Sequence, residues 1–197
     1  MLSVYLLRHG ETPYNADGNR YCGRTDIDLT EKGLRQAQSV RARLKDIHLD
    51  AVYSSPLIRA RHTAEAATGS MNVQTDNRLI EVDFGSWEKK TREEFVAEDP
   101  RSWEAWSRDP EHQRAGNTGE TGGEIVRRLD AFFNEMLSRH AGQTILVTGH
   151  NGTNRLYMAY KLGMPLPYYR RLFQENSAIT LFELADDGAF TLKKLNA

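Results

Sequence analysis

The stretch Leu6-Leu7-Arg8-His9-Gly10-Glu11-Thr12 decides the fold, because it places charged groups where an apolar strand ends. The preceding run, Val4 to Leu7, is typical of a strand that a parallel sheet buries on both faces. Gly10 allows a sharp turn, so the imidazole of His9 is expected at the carboxyl end of the strand, where open α/β sheets bind ligands. A guanidinium beside an imidazole suits an anion, and a neutral imidazole can attack phosphorus. The structural alternative is a histidine that merely caps the strand.

Two further apolar segments end in the same way. Ala51 to Pro56 predicts a strand and a turn, and the helix that follows carries Arg59 in its first turn. Thr144 to Thr148 predicts another strand, which ends at Gly149-His150-Asn151-Gly152. Because the carboxyl ends of parallel strands share one edge of a sheet, these side chains are expected to meet the first motif there.

The alternation of apolar strands with helical patterns predicts the α/β class. The expected architecture is a three-layer sandwich with a mostly parallel central sheet, helices on both faces and a partly helical cap insertion. Helices are predicted over residues 30–44, 56–68, 122–140 and 153–161, with Leu34 on the buried face of the first. Residues 178–184 and 190–195 predict a hairpin at the sheet edge, which could pair with a second copy in a homodimer.

Residues 1–197 are interpreted as a single domain, since this length is enough for one core and short for two. Residues 86–118 interrupt the alternation with three tryptophans, many charges and several helix breakers. They predict a cap insertion whose main helix covers residues 93–106. The tryptophans and Phe84 are assigned to the core of this cap rather than to stacking on a ligand, although Trp87 could line the pocket mouth.

The charge and composition of the chain limit the classes of binding partner that are expected. The 26 basic and 27 acidic residues give a formal net charge of −1 with no basic stripe, which argues against nucleic acid or an anionic membrane as partner. No apolar run reaches the roughly 20 residues that span a bilayer. Cys22 is the only cysteine, so neither a disulfide framework nor a cysteine-based metal site is expected. With no leader-like segment at its start, the chain is expected to be cytoplasmic.

The strand-end side chains Arg8, His9, Arg59 and His150 together suit a phosphoryl group. Two guanidiniums can bind its oxygens and neutralise developing charge, so no metal or other cofactor is expected. One imidazole would attack phosphorus and form phosphohistidine, while the other donates hydrogen bonds to the oxygens. Each residue also has a structural alternative: Arg59 could be a surface arginine of a helix, and His150 a turn residue.

A proton donor is the remaining requirement, since the leaving alkoxide must be protonated. Glu81 lies among apolar neighbours, which favours its neutral form and suits this role. It could instead be solvated or paired with Arg78. Asn15, in the loop after the first motif, could add an amide donor to the phosphoryl group.

Together these segments resemble the histidine phosphatase superfamily, in its phosphoglycerate-mutase-like branch. The resemblance runs from about Val4 to about Leu184 and rests on the order of its motifs, namely Arg8-His9-Gly10-Glu11-Thr12, Asp28-Leu29-Thr30 to Gly33, Gln36-Ala37, Ser54-Ser55-Pro56 with Arg59 and Thr63-Ala64, Glu81 with Gly85 and Trp87-Glu88, and Gly149-His150.

The resemblance assigns a role to each site residue. It implies that His9 is the phosphorylated nucleophile and Glu81 the proton donor. The implied phosphate pocket consists of Arg8, Arg59 and His150, with Asn15 and Asn151 beside them. The loop Cys22-Gly23 would offer backbone N–H groups to the substrate, and Gly119-Glu120-Thr121 would begin a helix that lines the site.

The chain departs from the family pattern at two points. Many relatives have Trp-Glu-Gly where this chain has Trp87-Glu88-Lys89-Lys90, with Arg92 close behind. The loss of that glycine is expected to change the loop. The extra cations are either solvated or select substrates with a second negative charge. Arg24 stands where mutases typically have an aromatic residue.

The function expected from this resemblance is metal-independent hydrolysis of a small phosphorylated metabolite through phosphohistidine. Cofactor-dependent phosphoglycerate mutase is the alternative, although a mutase must keep water off the intermediate in a more enclosed and more cationic pocket. A non-catalytic phospholigand-binding module is a third hypothesis, which the presence of all five pocket residues disfavours.

Overall fold

The computed structural model describes residues 1–69 and 72–197 of the chain. Its strands are β1 (Leu2–Arg8), β2 (Ala51–Ser54), β3 (Gln74–Thr75), β4 (Thr144–Gly149), β5 (Ile179–Leu184) and β6 (Phe190–Lys194). They form a six-stranded sheet in the order β3-β2-β4-β1-β5-β6. The four strands from β3 to β1 are parallel, and the hairpin of β5 and β6 continues the sheet in antiparallel pairing. The predicted mostly parallel sheet with an edge hairpin is confirmed.

Strand β1 lies in the middle of the sheet because its side chains are apolar on both faces. Leu6 packs in the larger core cluster on one face, and Leu7 packs in a second cluster on the other. The parallel register pairs Arg8 with Gly149, the last residues of β1 and β4. The next residues of the two strands, His9 and His150, are therefore neighbours at the sheet edge.

Helices cover both faces of the sheet, as predicted. They are α1 (Pro13–Ala16), α2 (Glu31–Leu44), α3 (Ile58–Thr68), α4 (Arg92–Glu98), α5 (Pro100–Arg108), α6 (Gly122–Arg139) and α7 (Asn151–Lys161). Three-ten helices cover Asn77–Leu79, Gly85–Trp87 and Leu166–Arg171. Within the described ranges, no helix is long and apolar enough to cross a membrane.

Four helix predictions need correction. Helix α3 begins at Ile58, two residues later than predicted, because Leu57 at its N-cap is extended. Leu34 of α2 is 43% exposed, and Gly33 takes the buried position beside it. Helix α7 begins at Asn151, two residues earlier than predicted, with His150 at its N-cap. The single cap helix predicted over residues 93–106 is two helices, because Pro100 cannot continue a helix and holds Asp99 out of the helical region, at φ −146°.

Residues 86–118 carry α4 and α5 and pack around an aromatic cluster. Trp87 is 1% exposed and stacks on Phe95 with ring centroids 4.7 Å apart, and Trp103 and Trp106 contact it edge-on. These rings belong to the same core cluster as the sheet and α6. The segment is thus anchored to the main core, which holds the residues that precede and follow it in place.

Candidate active site

The two strand-end histidines meet at the carboxyl edge of β1 and β4. The ring centroids of His9 and His150 are 5.2 Å apart, and the planes are tilted by 58°. His9 is 4% exposed and His150 is fully buried. This separation allows both rings to contact one tetrahedral anion.

A hydrogen bond to the backbone determines which ring nitrogen of His9 can act as a nucleophile. Its Nδ1 lies 2.7 Å from the carbonyl oxygen of Gly10. Because a carbonyl oxygen only accepts, Nδ1 carries the hydrogen and the neutral ring keeps its lone pair on Nε2. The nitrogen opposite the backbone is therefore the nucleophilic one.

The electrostatics of the edge keep both rings neutral. Burial, followed by the charges of Arg59 and Arg8, lowers the pKa of His9 well below its usual value. Burial, followed by the charge of Arg59, lowers the pKa of His150 in the same way. A neutral His9 at physiological pH is the form that can attack phosphorus.

Gly10, which follows His9, is needed for a reason other than the sharp turn that was predicted. Gly10 does not adopt a positive φ; instead, a Cβ there would lie 2.4 Å from the carbonyl oxygen of Gly33. The glycine thus permits close approach of the N-terminal turn of α2. The Gly10 N–H donates to Thr63 Oγ1 at 3.0 Å, which ties the turn to α3 as well.

Arg8 lies in the pocket with one donor already used. Its Nη1 donates to the Gln174 carbonyl at 2.7 Å, while its buried Nε has no partner among the described residues. Burial lowers the pKa of Arg8 to about 10, with the nearby Glu81 charge opposing the shift. Arg8 is therefore still a cation at neutral pH.

Arg59 is fully buried, so the surface-arginine alternative is wrong. Its Nη1 donates to the Thr25 carbonyl at 2.8 Å, and its Nη2 donates to the carbonyls of Cys22 and Gly23. Its Nε has no partner in the described part of the chain. Arg59 therefore holds the loop of residues 22–25 while its charge acts on both histidines.

The side chains after β4 include buried polar atoms with no protein partner. Both ring nitrogens of His150 and Oδ1 of Asn151 lack a hydrogen bond within the described residues. Unpaired buried polar atoms are costly, so natural proteins rarely keep them without a ligand or solvent to bind. These atoms are free to bind a ligand at the sheet edge.

Glu81 is buried and bound by the start of α7. Its carboxylate accepts backbone N–H bonds from Val82 at 2.9 Å and from Gly152 and Thr153 at 3.0 Å. The solvated alternative is wrong, because Glu81 is 4% exposed, and so is pairing with Arg78, which binds Asp76 and Glu135 instead. The three N–H donors add to the apolar neighbours that the sequence indicated. A Cβ on Gly152 would lie 2.8 Å from Glu81 Oε1, so the glycine makes room for the carboxylate.

A half-buried ion pair supports the segment that carries Glu81. Glu120, just before α6, binds Arg128 at 3.0 Å and Arg24 at 2.9 Å, and it accepts the Asp83 N–H. Arg128 also donates to the Glu81 carbonyl at 3.4 Å. The Gly119-Glu120-Thr121 motif thus positions the acid, and Arg24 is used in that ion pair.

The remaining predicted residues lie in the loop after β1. Asn15 lines the pocket, and its Oδ1 accepts from Thr12 N and Asn176 Nδ2, which orients the amide nitrogen. Cys22 lines the pocket too, and burial raises the pKa of its thiol to about 11. The Gly23 N–H donates to the Glu88 carboxylate at 3.0 Å, so its predicted contact with substrate requires Glu88 to release it.

A cavity of about 400 Å³ is lined by six of the predicted residues, namely Arg8, His9, Asn15, Cys22, Glu81 and Asn151. Arg59, Gly23 and His150 are not among the described residues that line it, and it also has walls that the sequence did not indicate. Phe84, assigned to the cap core, lines this cavity as well as packing in the core. The unpredicted walls are Asn19, Arg20, Tyr21, Gly152, Arg155, Tyr169, Arg170, Phe173 and Gln174. Only Arg155 had a sequence signal, since it lies one helical turn after Asn151 and so on the same face.

The cations at the changed family motif do not line this cavity. Lys90 pairs with Glu98, Arg92 contacts Glu93, and Lys89 is exposed. Lys89 has φ 69°, the left-handed conformation that glycine adopts most easily, so the lysine does not force a different backbone here.

The fold and the carboxyl edge of β1 and β4 define a class of α/β protein. In this class a neutral histidine and two arginines form an anion site on a mostly parallel sheet. The sequence pattern of the histidine phosphatase superfamily (branch 1) matches residues 4–197. The chain belongs to that superfamily.

Three similar proteins show what this chain is related to. Phosphoserine phosphatase 1 of Hydrogenobacter thermophilus is 31% identical over 195 residues, covering 98% of this chain and 92% of that protein. The adenosylcobalamin/alpha-ribazole phosphatase of Escherichia coli is 34% identical over 166 residues, covering 83% and 81%. The structure of phosphoserine phosphatase from Entamoeba histolytica with 3-phosphoglyceric acid has a TM-score of 0.90 at 28% identity, covering 100% and 98%.

Proposed function

We propose that this protein hydrolyses a small phosphorylated metabolite through a phosphohistidine on His9. The observation that carries the proposal is the pairing of two neutral, buried imidazoles, with His9 Nε2 unprotonated and 5.2 Å between the ring centroids. The similarity to two phosphatases over most of the chain supports the same reaction.

In the first half-reaction, His9 Nε2 attacks phosphorus and forms the N–P bond as the ester P–O bond breaks. The bond electrons move to the leaving oxygen, which takes a proton from the carboxyl group of Glu81. The backbone N–H groups of Val82, Gly152 and Thr153 stabilise the carboxylate that this transfer leaves. Arg8, His150 and Asn15 bind the phosphoryl oxygens, with Arg59 adding its charge from behind the site.

In the second half-reaction, Glu81 takes a proton from a water molecule as its oxygen attacks the phosphoryl group. The N–P bond breaks, its electrons return to Nε2, and phosphate is released.

We propose that the reaction is metal-independent, because the two guanidiniums supply the positive charge that a metal ion would otherwise bring. The single cysteine fits a cytoplasmic setting.

One observation favours the mutase alternative. Arg8, Arg20, Arg155 and Arg170 line the cavity, which makes it more cationic than the sequence predicted. Against this, Phe173 at the cavity wall is 63% exposed, so the cavity is open to solvent on that side rather than enclosed. We therefore favour hydrolysis, with transfer between phosphoglycerate isomers as the second candidate and simple phospholigand binding as the third.

The test is phosphate release from p-nitrophenyl phosphate in excess chelator, with mass measurement of the quenched protein. The native chain should release phosphate and carry one added phosphoryl group. His9→Ala should abolish both the release and the added group. His48→Ala, which changes an exposed histidine, is the control and should retain both. Activity that returns only with added magnesium would contradict the metal-free mechanism. Equilibration of two phosphoglycerate isomers, raised by bisphosphoglycerate, would identify a mutase, and ligand binding without phosphohistidine would identify a binder.

A further inference from the structure

Two arginines on the outer wall of the cavity are held against one aromatic ring. The guanidinium carbon of Arg155 lies 5.2 Å from the ring centroid of Tyr169, and that of Arg170 lies 4.7 Å from it. Arg170 also lies 4.3 Å from the ring centroid of Trp103. Stacking on aromatic rings fixes the direction of a guanidinium without using its N–H donors.

Neither of these cations has an acidic partner in the part of the chain that the structure describes. Within residues 1–69 and 72–197, no aspartate or glutamate forms an ion pair with Arg155 or Arg170. Glu81 is the one acid among the residues that line the cavity, and its carboxylate is already bound by three backbone N–H groups. Burial, with the neighbouring charge of Arg170, lowers the pKa of Arg155. The wall therefore holds two positive charges beside one aromatic ring, and no carboxylate of the described residues forms an ion pair with either of them.

These arginines belong to the same cavity as the histidine edge but to a different part of it. Arg155 lies on α7, one helical turn after Asn151, and it lines the cavity together with Glu81, the acid that protonates the leaving group. The phosphoryl group occupies the inner end, at Arg8 and His9. The part of a substrate that reaches Arg155 and Arg170 is then the leaving group.

We infer that Arg155 and Arg170 form a second anion-binding subsite, which selects phosphomonoesters whose leaving group carries a carboxylate or a second phosphate. This inference rests on the proposed phosphatase function. Paired guanidiniums bind both kinds of anion through bidentate hydrogen bonds. The preference for a second negative charge, considered for Lys89 and Lys90, thus belongs to residues on α7 and the Leu166–Arg171 three-ten helix.

A matched pair of substrates tests the inference. 3-Phosphoglycerate and glycerol 3-phosphate differ only in a carboxylate against a hydroxymethyl group, and we expect kcat/KM to be about 10- to 100-fold higher for 3-phosphoglycerate. Fructose 1,6-bisphosphate against fructose 6-phosphate is the corresponding pair for a second phosphate. A preference in the first pair alone identifies the carboxylate, and one in the second pair alone identifies the phosphate.

Variants connect the preference to the two residues. Arg155→Met and Arg170→Met keep the aliphatic stem and should each reduce the preference about 10-fold, with at most a three-fold change in p-nitrophenyl phosphate hydrolysis. Arg171→Met is the matched control, because Arg171 is exposed, stacks on Tyr168 and does not line the cavity. Retained p-nitrophenyl phosphate activity shows that a variant is folded.

The outcomes separate this inference from the function on which it rests. Hydrolysis of p-nitrophenyl phosphate with equal kcat/KM within both substrate pairs would overturn the subsite and leave the phosphatase standing. A preference that survives both Arg→Met changes would also overturn the assignment. If no ester is hydrolysed, the phosphatase proposal fails, and calorimetric titration of the protein with 3-phosphoglycerate and glycerol 3-phosphate still decides whether the second anion is bound.

Discussion

The inner and outer parts of the cavity are built in opposite ways. At the inner end, Arg8 and His9 follow directly from β1, and His150 follows from β4, so the strand register places them. At the outer wall, Arg155 and Arg170 come from a helix and a three-ten helix and are held by side-chain stacking. The inner groups are buried, whereas Phe173 beside the outer wall is 63% exposed.

This difference separates the reaction from the choice of substrate. Changes at the inner end should affect every phosphomonoester alike, because all of them present the same phosphoryl group there. Changes farther out should depend on the leaving group. The following predictions are ordered from the largest expected effect to the smallest.

The strongest test of the inner end is His150→Asn. Removal of one donor to the developing phosphoryl charge should lower kcat/KM about 10²- to 10³-fold for p-nitrophenyl phosphate and for glycerol 3-phosphate alike. His48→Asn, at an exposed histidine, is the control and should change neither value. A loss confined to one ester would contradict the division between the two parts of the cavity.

Glu81 lies at the boundary between them, so Glu81→Gln should discriminate between leaving groups. The single-turnover rate of phosphohistidine formation should fall about 100-fold with glycerol 3-phosphate, whose alkoxide needs a proton. With p-nitrophenyl phosphate the rate should change only a few-fold, because p-nitrophenolate is a stable anion. Glu104→Gln, at an exposed residue of α5, is the control. Equal losses with both esters would remove the proton-donor role.

Acid should destabilise the protein through the inner end. The folded pKa values of His9 and His150 lie below the unfolded value of about 6.5, so the unfolded chain takes up these protons first. The free energy of unfolding should therefore fall as the pH drops below about 6.5, by up to roughly 1.4 kcal/mol per pH unit for each histidine. Urea unfolding from pH 7 to 5 measures this slope, which His150→Asn should reduce and His48→Asn should not.

The smallest effect is expected outside the cavity, at Lys89. At φ 69° the backbone of a lysine is strained by about 1 kcal/mol, whereas glycine adopts this conformation without strain. Because glycine also loses more backbone entropy on folding, Lys89→Gly should raise the free energy of unfolding by about 0.5 kcal/mol. Lys45→Gly, at φ −55° on the end of α2, should lower it instead. If Lys89→Gly leaves kcat/KM for 3-phosphoglycerate unchanged, the result agrees with a subsite on the outer wall. A ten-fold loss would instead assign binding of the second negative charge to Lys89.

The inner site was largely predictable because it depends on local sequence. A strand-end pattern placed His9 and His150, and the helix after Pro56 placed Arg59. The contacts of Glu81 were not predictable, because its three donors include two from α7, about 70 residues away. Cap function for residues 86–118 within one domain, and homodimer formation through the β6 edge, stay predictions.

By itself, the sequence determined the fold class, the histidine edge and the two arginines that accompany it, because strand periodicity and strand-end motifs are local properties of the chain. Only the tertiary structure decided which nitrogen of His9 is free, what binds Glu81, and that Arg155 and Arg170 share the ring of Tyr169. Those features arise from contacts between segments far apart in the chain, and such contacts exist only once the sheet, α7 and the three-ten helix have packed together.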